Sequence, residues 1–355
     1  MSGRGGLGFG GFLVGLGVGW VVFSAMSVSW GLFAWMMILA GAAMIVSSLI
    51  PRRRFNIDVG GLTRGLMGGL VLSLVATSGL GFVDWDGSSG LGDYRAQETR
   101  TFSGALTAGG VLLDINNFNG PVSVSTWARD EYRVDVLIRA KGVTVADAEE
   151  NLERFVTDFD EGASGGKGTL VLRYDIPINW HSRYSVQVEA FLPARAKIDL
   201  NLDSSNGDIS LKDIDGGTIE LQTSNGAIDF DDVTASRIDV ETSNGKVEGK
   251  LEAPDTSVST SNGGIDLALP CTASGRYVLR TGNAQVRLRV SPSSVVGYDL
   301  DLSTSNGNID IGLPNLEYGA NQRTRKEART SGFENKAVKI TVVASTSNAG
   351  MDIDT

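Results

Sequence analysis

The sequence predicts N-terminal transmembrane α-helices followed by an all-β domain. The β domain reads as a right-handed parallel β-helix, or β-solenoid, with rungs of about 20 residues and one capping α-helix. A meander of antiparallel hairpins is the alternative. Three observations carry the prediction. Two long uncharged stretches open the chain, a Ser-Asn-Gly motif recurs at near-constant spacing, and strict apolar/polar alternation flanks each copy.

Residues 7–28 and 30–50 carry no charge, and each can cross roughly 30 Å of hydrocarbon as a helix. Pro51–Arg54 ("PRRR") stops the second, and a third uncharged segment follows at 65–83. Arg4, Arg52, Arg53, Arg54 and Arg64 all fall where an inside-out-inside path places cytoplasm. That predicts a multi-pass cell-membrane protein embedded in the lipid bilayer, with its C-terminal domain extracytoplasmic. Gly11, Gly15 and Gly19 share one helix face in the first span, where another helix of the chain can approach closely. The expected division is a membrane domain at 1–84, a Gly/Ser linker at 85–101 and a β domain at 102–355.

Charge follows the same division. Residues 1–83 hold five arginines and one aspartate, so the remainder carries a net charge of −14. An acidic domain of that size repels phosphate, which argues against nucleic acid as a partner. One cysteine, Cys271, leaves no intrachain disulfide, and one histidine, His181, leaves no multi-histidine metal site.

The repeat is read by aligning its asparagines: Asn206, Asn225, Asn244, Asn262, Asn283, Asn306 and Asn348. The steps are 19, 19, 18, 21, 23 and 42, the last being twice 21. Within a period, "TIELQT" (Thr218–Thr223) alternates, a corner follows, and "AIDF" (Ala227–Phe230) alternates again, as strands with one buried face do. The corner pairs are Asn206-Gly207, Asn225-Gly226, Asn244-Gly245, Asn262-Gly263 and Asn306-Gly307. In a hairpin, Asn-Gly would be a type I′ turn; in a solenoid it would be a corner into the next face. Alanine at 284 and 349 resists the positive φ of a I′ turn, and a hairpin would set Glu241 against Glu248. Both favour the solenoid. There asparagine tolerates and glycine prefers left-handed backbone, and stacked amides hydrogen-bond along the stack.

The first rung is expected at Leu112–Trp127, with its corner at Asn119-Gly120. The period then breaks over 128–200, an insertion that includes an amphipathic helix at Thr144–Phe159 (stripe Ala148, Leu152, Phe155). It is expected to cap the first rungs, because an open end exposes sheet edges and core. Pro314–Lys336 is polar and locally basic, and reads as a solvated loop or a docking site.

"FLP" (Phe191–Pro193), then "KIDLNLDSSNGDISL", the further Thr-Ser-Asn-Gly cycles and "ALP" (Ala268–Pro270) resemble the putative-adhesin family of bacterial and archaeal envelope proteins, a domain of unknown function. The resemblance runs over roughly Phe102–Thr355. It implies a β-solenoid ectodomain, often behind membrane segments and in some members beside envelope-stress systems. It implies no catalytic residues.

The residue four after each corner asparagine points outward, so Asp229, Glu248 and Asp266 are expected to form an acidic column. Carboxylates that close repel, take up protons or share Ca²⁺. An ordinary solvated face is the favoured reading, with calcium the one metal alternative and no other cofactor. Asp203, Asp239 and Asp301 would extend the patch. Asp266 with Arg287 is the one pair that could serve a carbohydrate-active enzyme, and Trp180 with Tyr184 the one pair that could hold a sugar ring; packing against the cap is the favoured reading of that loop. The favoured role is non-catalytic: adhesion, scaffolding or binding of an envelope protein or glycan. A sensory or regulatory component of an envelope-stress system is second, and the enzyme third.

Overall fold

The computed structural model describes residues 94–106 and 109–355, and Tyr94–Thr355 form one compact unit. The three expected spans, Gly11, Gly15 and Gly19, and most of the linker lie outside the described residues. Among the described residues no helix is long and apolar enough to cross a membrane.

The unit is nearly all β. It opens with β1 (Tyr94–Ala105), β2 (Gly110–Asn117), β3 (Val122–Trp127) and β4 (Glu131–Lys141), then α1 (Val145–Glu153). Next come β5 (Val156–Ser164), β6 (Lys167–Asp175) and β7 (Tyr184–Pro193). The repeats supply β8 (Lys197–Ser204), β9 (Ile209–Lys212), β10 (Gly216–Thr223), β11 (Ile228–Thr234), β12 (Arg237–Thr242) and β13 (Val247–Glu252). They continue with β14 (Asp255–Thr260), β15 (Ile265–Leu269), β16 (Gly275–Thr281) and β17 (Val286–Val290). The chain ends with β18 (Val296–Thr304), β19 (Ile309–Ile311), β20 (Leu316–Asn321), β21 (Arg325–Thr330), β22 (Val338–Thr346) and β23 (Met351–Asp354).

These strands form two long sheets. Sheet I has 11 strands in the order β1-β4-β7-β3-β9-β11-β13-β15-β17-β23-β19. Sheet II has 12, in the order β20-β21-β18-β22-β16-β14-β12-β10-β8-β2-β6-β5. From β8 to β17 the chain alternates between sheets, and every Ser-Asn-Gly corner joins a strand of sheet II to one of sheet I. Neighbours are parallel and in register: Ile219 lies beside Ile238, and Ile228 beside Val247. The hairpin meander is therefore corrected. The strands flanking a corner do not pair with each other, and Glu241 and Glu248 sit in different sheets.

Alternation makes the core. Leu202, Leu221, Val240, Val258, Leu279, Ala344 and Leu302 form one buried file in sheet II. Ile209, Ile228, Val247, Ile265, Val286, Met351 and Ile309 form its counterpart in sheet I. Each valine, leucine, isoleucine or methionine so buried contributes about 1.5–3 kcal/mol relative to exposure.

Both ends are closed. At one end the insertion adds β4 and β7 to sheet I and β6 and β5 to sheet II, and α1 packs beside them. Thr144 caps α1 by accepting from Asp147 N at 3.1 Å. The helix is shorter than expected and stops at Glu153, because Val156–Ser164 pairs antiparallel with β6 through a two-glycine turn (Gly165 φ +60°, Gly166 φ +80°). Phe155 leaves the helical stripe and packs edge-on against Tyr184, ring centroids 5.0 Å apart. Residues 94–101, expected as linker, are the first part of β1, which pairs with β4.

At the other end Pro314–Lys336 is not a solvated loop. It holds the antiparallel hairpin β20–β21, which pairs with β18. Arg323, Arg325, Arg329 and Lys336 are engaged within the fold. Arg329 pairs with Asp299 at 2.6 Å, and Arg323 Nη1 donates to Gly307 O at 2.9 Å.

Candidate binding surfaces

The corner stack positions everything on the outer faces. Asn225 donates through Nδ2 to Asn206 Oδ1 at 2.7 Å, and Asn244 to Asn225 at 2.8 Å. Asn262 then donates to Asn244 and Asn283 to Asn262, both at 2.7 Å. Asn348 donates to Asn283 at 2.6 Å, and Asn306 to Asn348 at 2.8 Å. One unbroken amide ladder thus runs along the corner edge.

The glycines are explained differently from the left-handed expectation. None of Gly207, Gly226, Gly245, Gly263 or Gly307, nor any corner asparagine, is among the positive-φ residues. Their hydrogens instead face backbone. A Cβ on Gly226 would lie 1.9 Å from Gly207 O, on Gly245 1.7 Å from Gly226 O, and on Gly263 1.7 Å from Gly245 O. On Gly207 it would lie 1.6 Å from Gly120 O, and on Gly307 1.9 Å from Ala349 O. At these five corners adjacent rungs touch backbone to backbone and leave no room for a Cβ, whereas the Asn283 and Asn348 corners carry alanine at the same place.

Sequence reasoning passed over the threonine before each corner. Thr260 Oγ1 accepts from Gly263 N at 3.0 Å and donates to Gly245 O of the preceding rung at 3.4 Å. Thr223 does the same with Gly226 N (3.2 Å) and Gly207 O (3.3 Å). Both are buried, so each hydroxyl satisfies a donor and an acceptor that water does not reach. The signal was available: Ser or Thr stands three residues before the glycine in every Ser-Asn-Gly copy. Glu252, also passed over, is buried and accepts from Thr272 N (2.5 Å), Thr272 Oγ1 (2.6 Å) and Ala273 N (2.8 Å). It fixes the loop in which Cys271 has φ +58°.

On the outer face of sheet I, Asp229, Glu248 and Asp266 are brought side by side in register, between Ser210 and Arg287. The three differ in surroundings. Burial, then Glu248 and Asp231, raise the Asp229 carboxyl above its ordinary range. Asp266 lies among cations: Arg289 at 2.9 Å, Arg287 at 3.7 Å and Lys246 at 3.8 Å. Lys246 also pairs with Glu248. Among the described residues no cluster of three or more His, Cys, Asp or Glu is placed to hold a metal. Asp203, Asp239 and Asp301 do not extend this column, because they stand on sheet II.

These surroundings predict opposite effects within one column. The raised Asp229 pKa contributes stability that is present below the ordinary carboxylate range and lost as pH rises through the raised value. Asp229→Asn should therefore gain about 0.2–1 kcal/mol at pH 7, and the gain should vanish in acid. Asp266→Asn should lose about 0.5–1 kcal/mol at pH 7, since Arg289 loses its carboxylate partner, while Lys246 keeps Glu248 and Arg287 keeps Asp352. Urea unfolding at pH 7 and pH 4 reads both. A loss on Asp229→Asn at pH 7 would contradict the assignment.

Sheet II carries a second feature. A concave groove of about 280 Å³ lies on its outer face. Two in-register columns line it: Asp114, Asn201, Glu220, Asp239, and Asn116, Asp203, Gln222, Glu241. Asn201 Nδ2 donates to Asp114 Oδ1 at 3.0 Å, and Arg173 closes one end by pairing with Asp114 at 2.5 Å. Burial raises the Asp203 carboxyl, opposed by Arg173. The groove thus offers acceptors and amide donors at strand spacing, with one guanidinium.

The aromatic loop before β7 does not form a sugar platform. Tyr184 is fully buried and donates to Asn151 O at 2.8 Å. Arg183 and Arg154 lie over the Trp180 ring at 4.8 and 5.6 Å, and His181 stacks on Phe118 at 4.1 Å.

Residues 184–349 match the family model for Toastrack DUF4097. The matched segment is just under half of the chain. It starts at the first residue of β7 and ends inside the last corner, so it holds all seven ladder asparagines, while β1 to β6 and α1 precede it. The match is narrower than the 102–355 over which the resemblance was read. A putative cell adhesion protein from Clostridium sporogenes is similar to the chain, with 12% identity over 72% of this chain and 99% of that one, TM-score 0.32. A putative adhesin from Bacteroides fragilis shows 10% identity over 74% and 100%, also at TM-score 0.32. A putative lipid binding protein from Parabacteroides distasonis shows 11% identity over 71% and 96%, TM-score 0.28. No curated protein matches.

Proposed function

We propose that residues 94–355 are a non-catalytic binding domain, held outside the cell by the N-terminal membrane segments. Its two sheets are read as the long faces of one right-handed parallel β-solenoid carrying the Toastrack repeat. Its role is adhesion or scaffolding, with an envelope protein or glycan as partner. The observation that carries the reading is the sheet II groove. Its amide and carboxyl groups repeat at about 4.8 Å along the stack, which suits a repeating polar ligand better than one compact substrate. The resemblance read from the Ser-Asn-Gly cycles supports the same role, and the acidic surface argues against nucleic acid.

The full chain, reconstituted in lipid, is expected to bind the producing cell's envelope fraction saturably. Asn201→Ala with Gln222→Ala should weaken that binding about tenfold, through the loss of two hydrogen-bonding groups. A calcium chelator tests the alternative for Asp229, Glu248 and Asp266: undiminished binding keeps them a solvated face, and loss would make them a site. Absence of saturable binding by folded protein would sink the proposal.

A further inference from the structure

The order of the last two rungs does not follow the chain. The 42-residue step from Asn306 to Asn348 reads in sequence as a skipped repeat. In space the C-terminal rung β22–β23 lies between rung β16–β17 and rung β18–β19. Along the chain, β18, β19 and the hairpin come first, and the rung that lies next to β16–β17 comes last.

The contacts on the two sides of the inserted rung are equivalent. Thr346 donates to Ala284 O at 3.0 Å, and Thr304 donates to Ala349 O at 2.8 Å. Asn348 bonds Asn283, and Asn306 bonds Asn348, by the same amide geometry. The registers also agree. Tyr277, Val342 and Leu300 are in line, as are Leu279, Ala344 and Leu302, and Val286, Met351 and Ile309. Rung β18–β19 therefore presents to the inserted rung the set of groups it would present to β16–β17. Thr281 and Thr304, like Asn283 and Asn306, occupy matching places in their rungs. Removing the inserted rung leaves two surfaces that fit each other.

We propose that Val338–Asp354 is a removable rung, and that the slot it leaves closes by direct stacking of β18–β19 on β16–β17. Chain order supports this. Rung β18–β19 is complete before Val338 is made, so direct stacking is the arrangement the growing chain meets first. Insertion then exchanges one rung interface for two, which favours the filled state once the C-terminus is available. The end hairpin travels with β18, to which β21 is paired, so the stack stays closed in both states.

Arg280, Ser345 and Ser303 report the two states, because they are in line on the outer face. In the filled state Arg280 and Ser303 are two strand spacings apart, about 9–10 Å, too far for a disulfide; in the closed state they are neighbours. The test uses the full chain, in which Cys271 is buried. Arg280→Cys with Ser345→Cys should cross-link in the folded protein. Arg280→Cys with Ser303→Cys should cross-link early in refolding and in a minor fraction at equilibrium. Hydrogen exchange on the unmodified chain is the second reading, and it does not depend on the variants folding. Amides of Val338–Asp354 should exchange about tenfold or more faster than those of Gly275–Thr281 and Val296–Thr304 on either side. Simple end-fraying gives the reverse order, with β18 and β19 least protected. Protection falling steadily from β16 through β22 to β18, or a 280–303 pair that never cross-links while 280–345 does, overturns the proposal.

Discussion

Replacing Gly263 by alanine is expected to cost about 3 kcal/mol or more, whereas the same change at the next residue, Gly264, should be neutral or stabilising by up to about 1 kcal/mol. A Cβ on Gly263 would lie 1.7 Å from Gly245 O. That oxygen belongs to the backbone of the adjacent rung and cannot rotate aside. The rungs would have to separate, which would pull the Asn244–Asn262 bond and the Thr260 contacts apart with them. A Cβ on Gly264 meets nothing nearer than Gln285 O at 3.4 Å, an ordinary contact, and neither glycine is left-handed. The pair therefore separates two explanations of Asn-Gly. If left-handed backbone were the reason, the close carbonyl would not decide between neighbours. Urea unfolding of both variants decides, and equal losses would contradict the account.

The second large effect is expected at Glu252. Glu252→Ala removes the buried acceptor of three hydrogen bonds and leaves the amides of Thr272 and Ala273, in an otherwise exposed loop, without it. The expected loss is about 1–3 kcal/mol, because bonds to a charged acceptor are the stronger kind, while water can reach part of the loop that Glu252 anchors. Glu252→Gln should cost less than about 1 kcal/mol. Its amide oxygen can accept both backbone donors, and its NH₂ can donate to the Thr272 hydroxyl. Thermal unfolding of the two variants distinguishes this anchoring role from one that needs the negative charge. A Gln variant as damaged as the Ala variant would point to the charge.

What was legible in the sequence was whatever one rung shows by itself. Alternation in "TIELQT" and "AIDF" marks strands because one face is buried, and the steps between asparagines mark the ladder because an amide needs its like one rung away. What was not legible lies between rungs. The reason for glycine at 226 is the carbonyl of Gly207, nineteen residues earlier, and local preference suggested left-handed backbone instead. Strand parity could not separate parallel rungs from hairpins, since Leu221 and Phe230 face inward in both. The place of Asn348 between Asn283 and Asn306 leaves no mark in spacing, because two periods read alike whether the chain skips a rung or returns to one. Two errors had signals within reach. Gly165-Gly166 between alternating runs is a hairpin signature, which would have ended the helix before Val156. Leu316–Asn321 and Arg325–Thr330 looked like loop because their side chains are polar. They are strands by backbone pairing to β18, and Arg323 caps the last corner carbonyl.

The proposed role requires the β domain to face outward, so accessibility on intact cells tests it most directly. Ser294 is exposed between β17 and β18, and its backbone carbonyl accepts from Lys336, so its side chain can be changed freely. With Cys271 buried, Ser294→Cys in the full chain supplies the one reactive thiol of this domain. The account predicts labelling of Ser294→Cys by a membrane-impermeant maleimide on intact cells, to the same extent as after lysis. Labelling only after lysis would place the domain inside and contradict an adhesive or scaffolding role outside the cell.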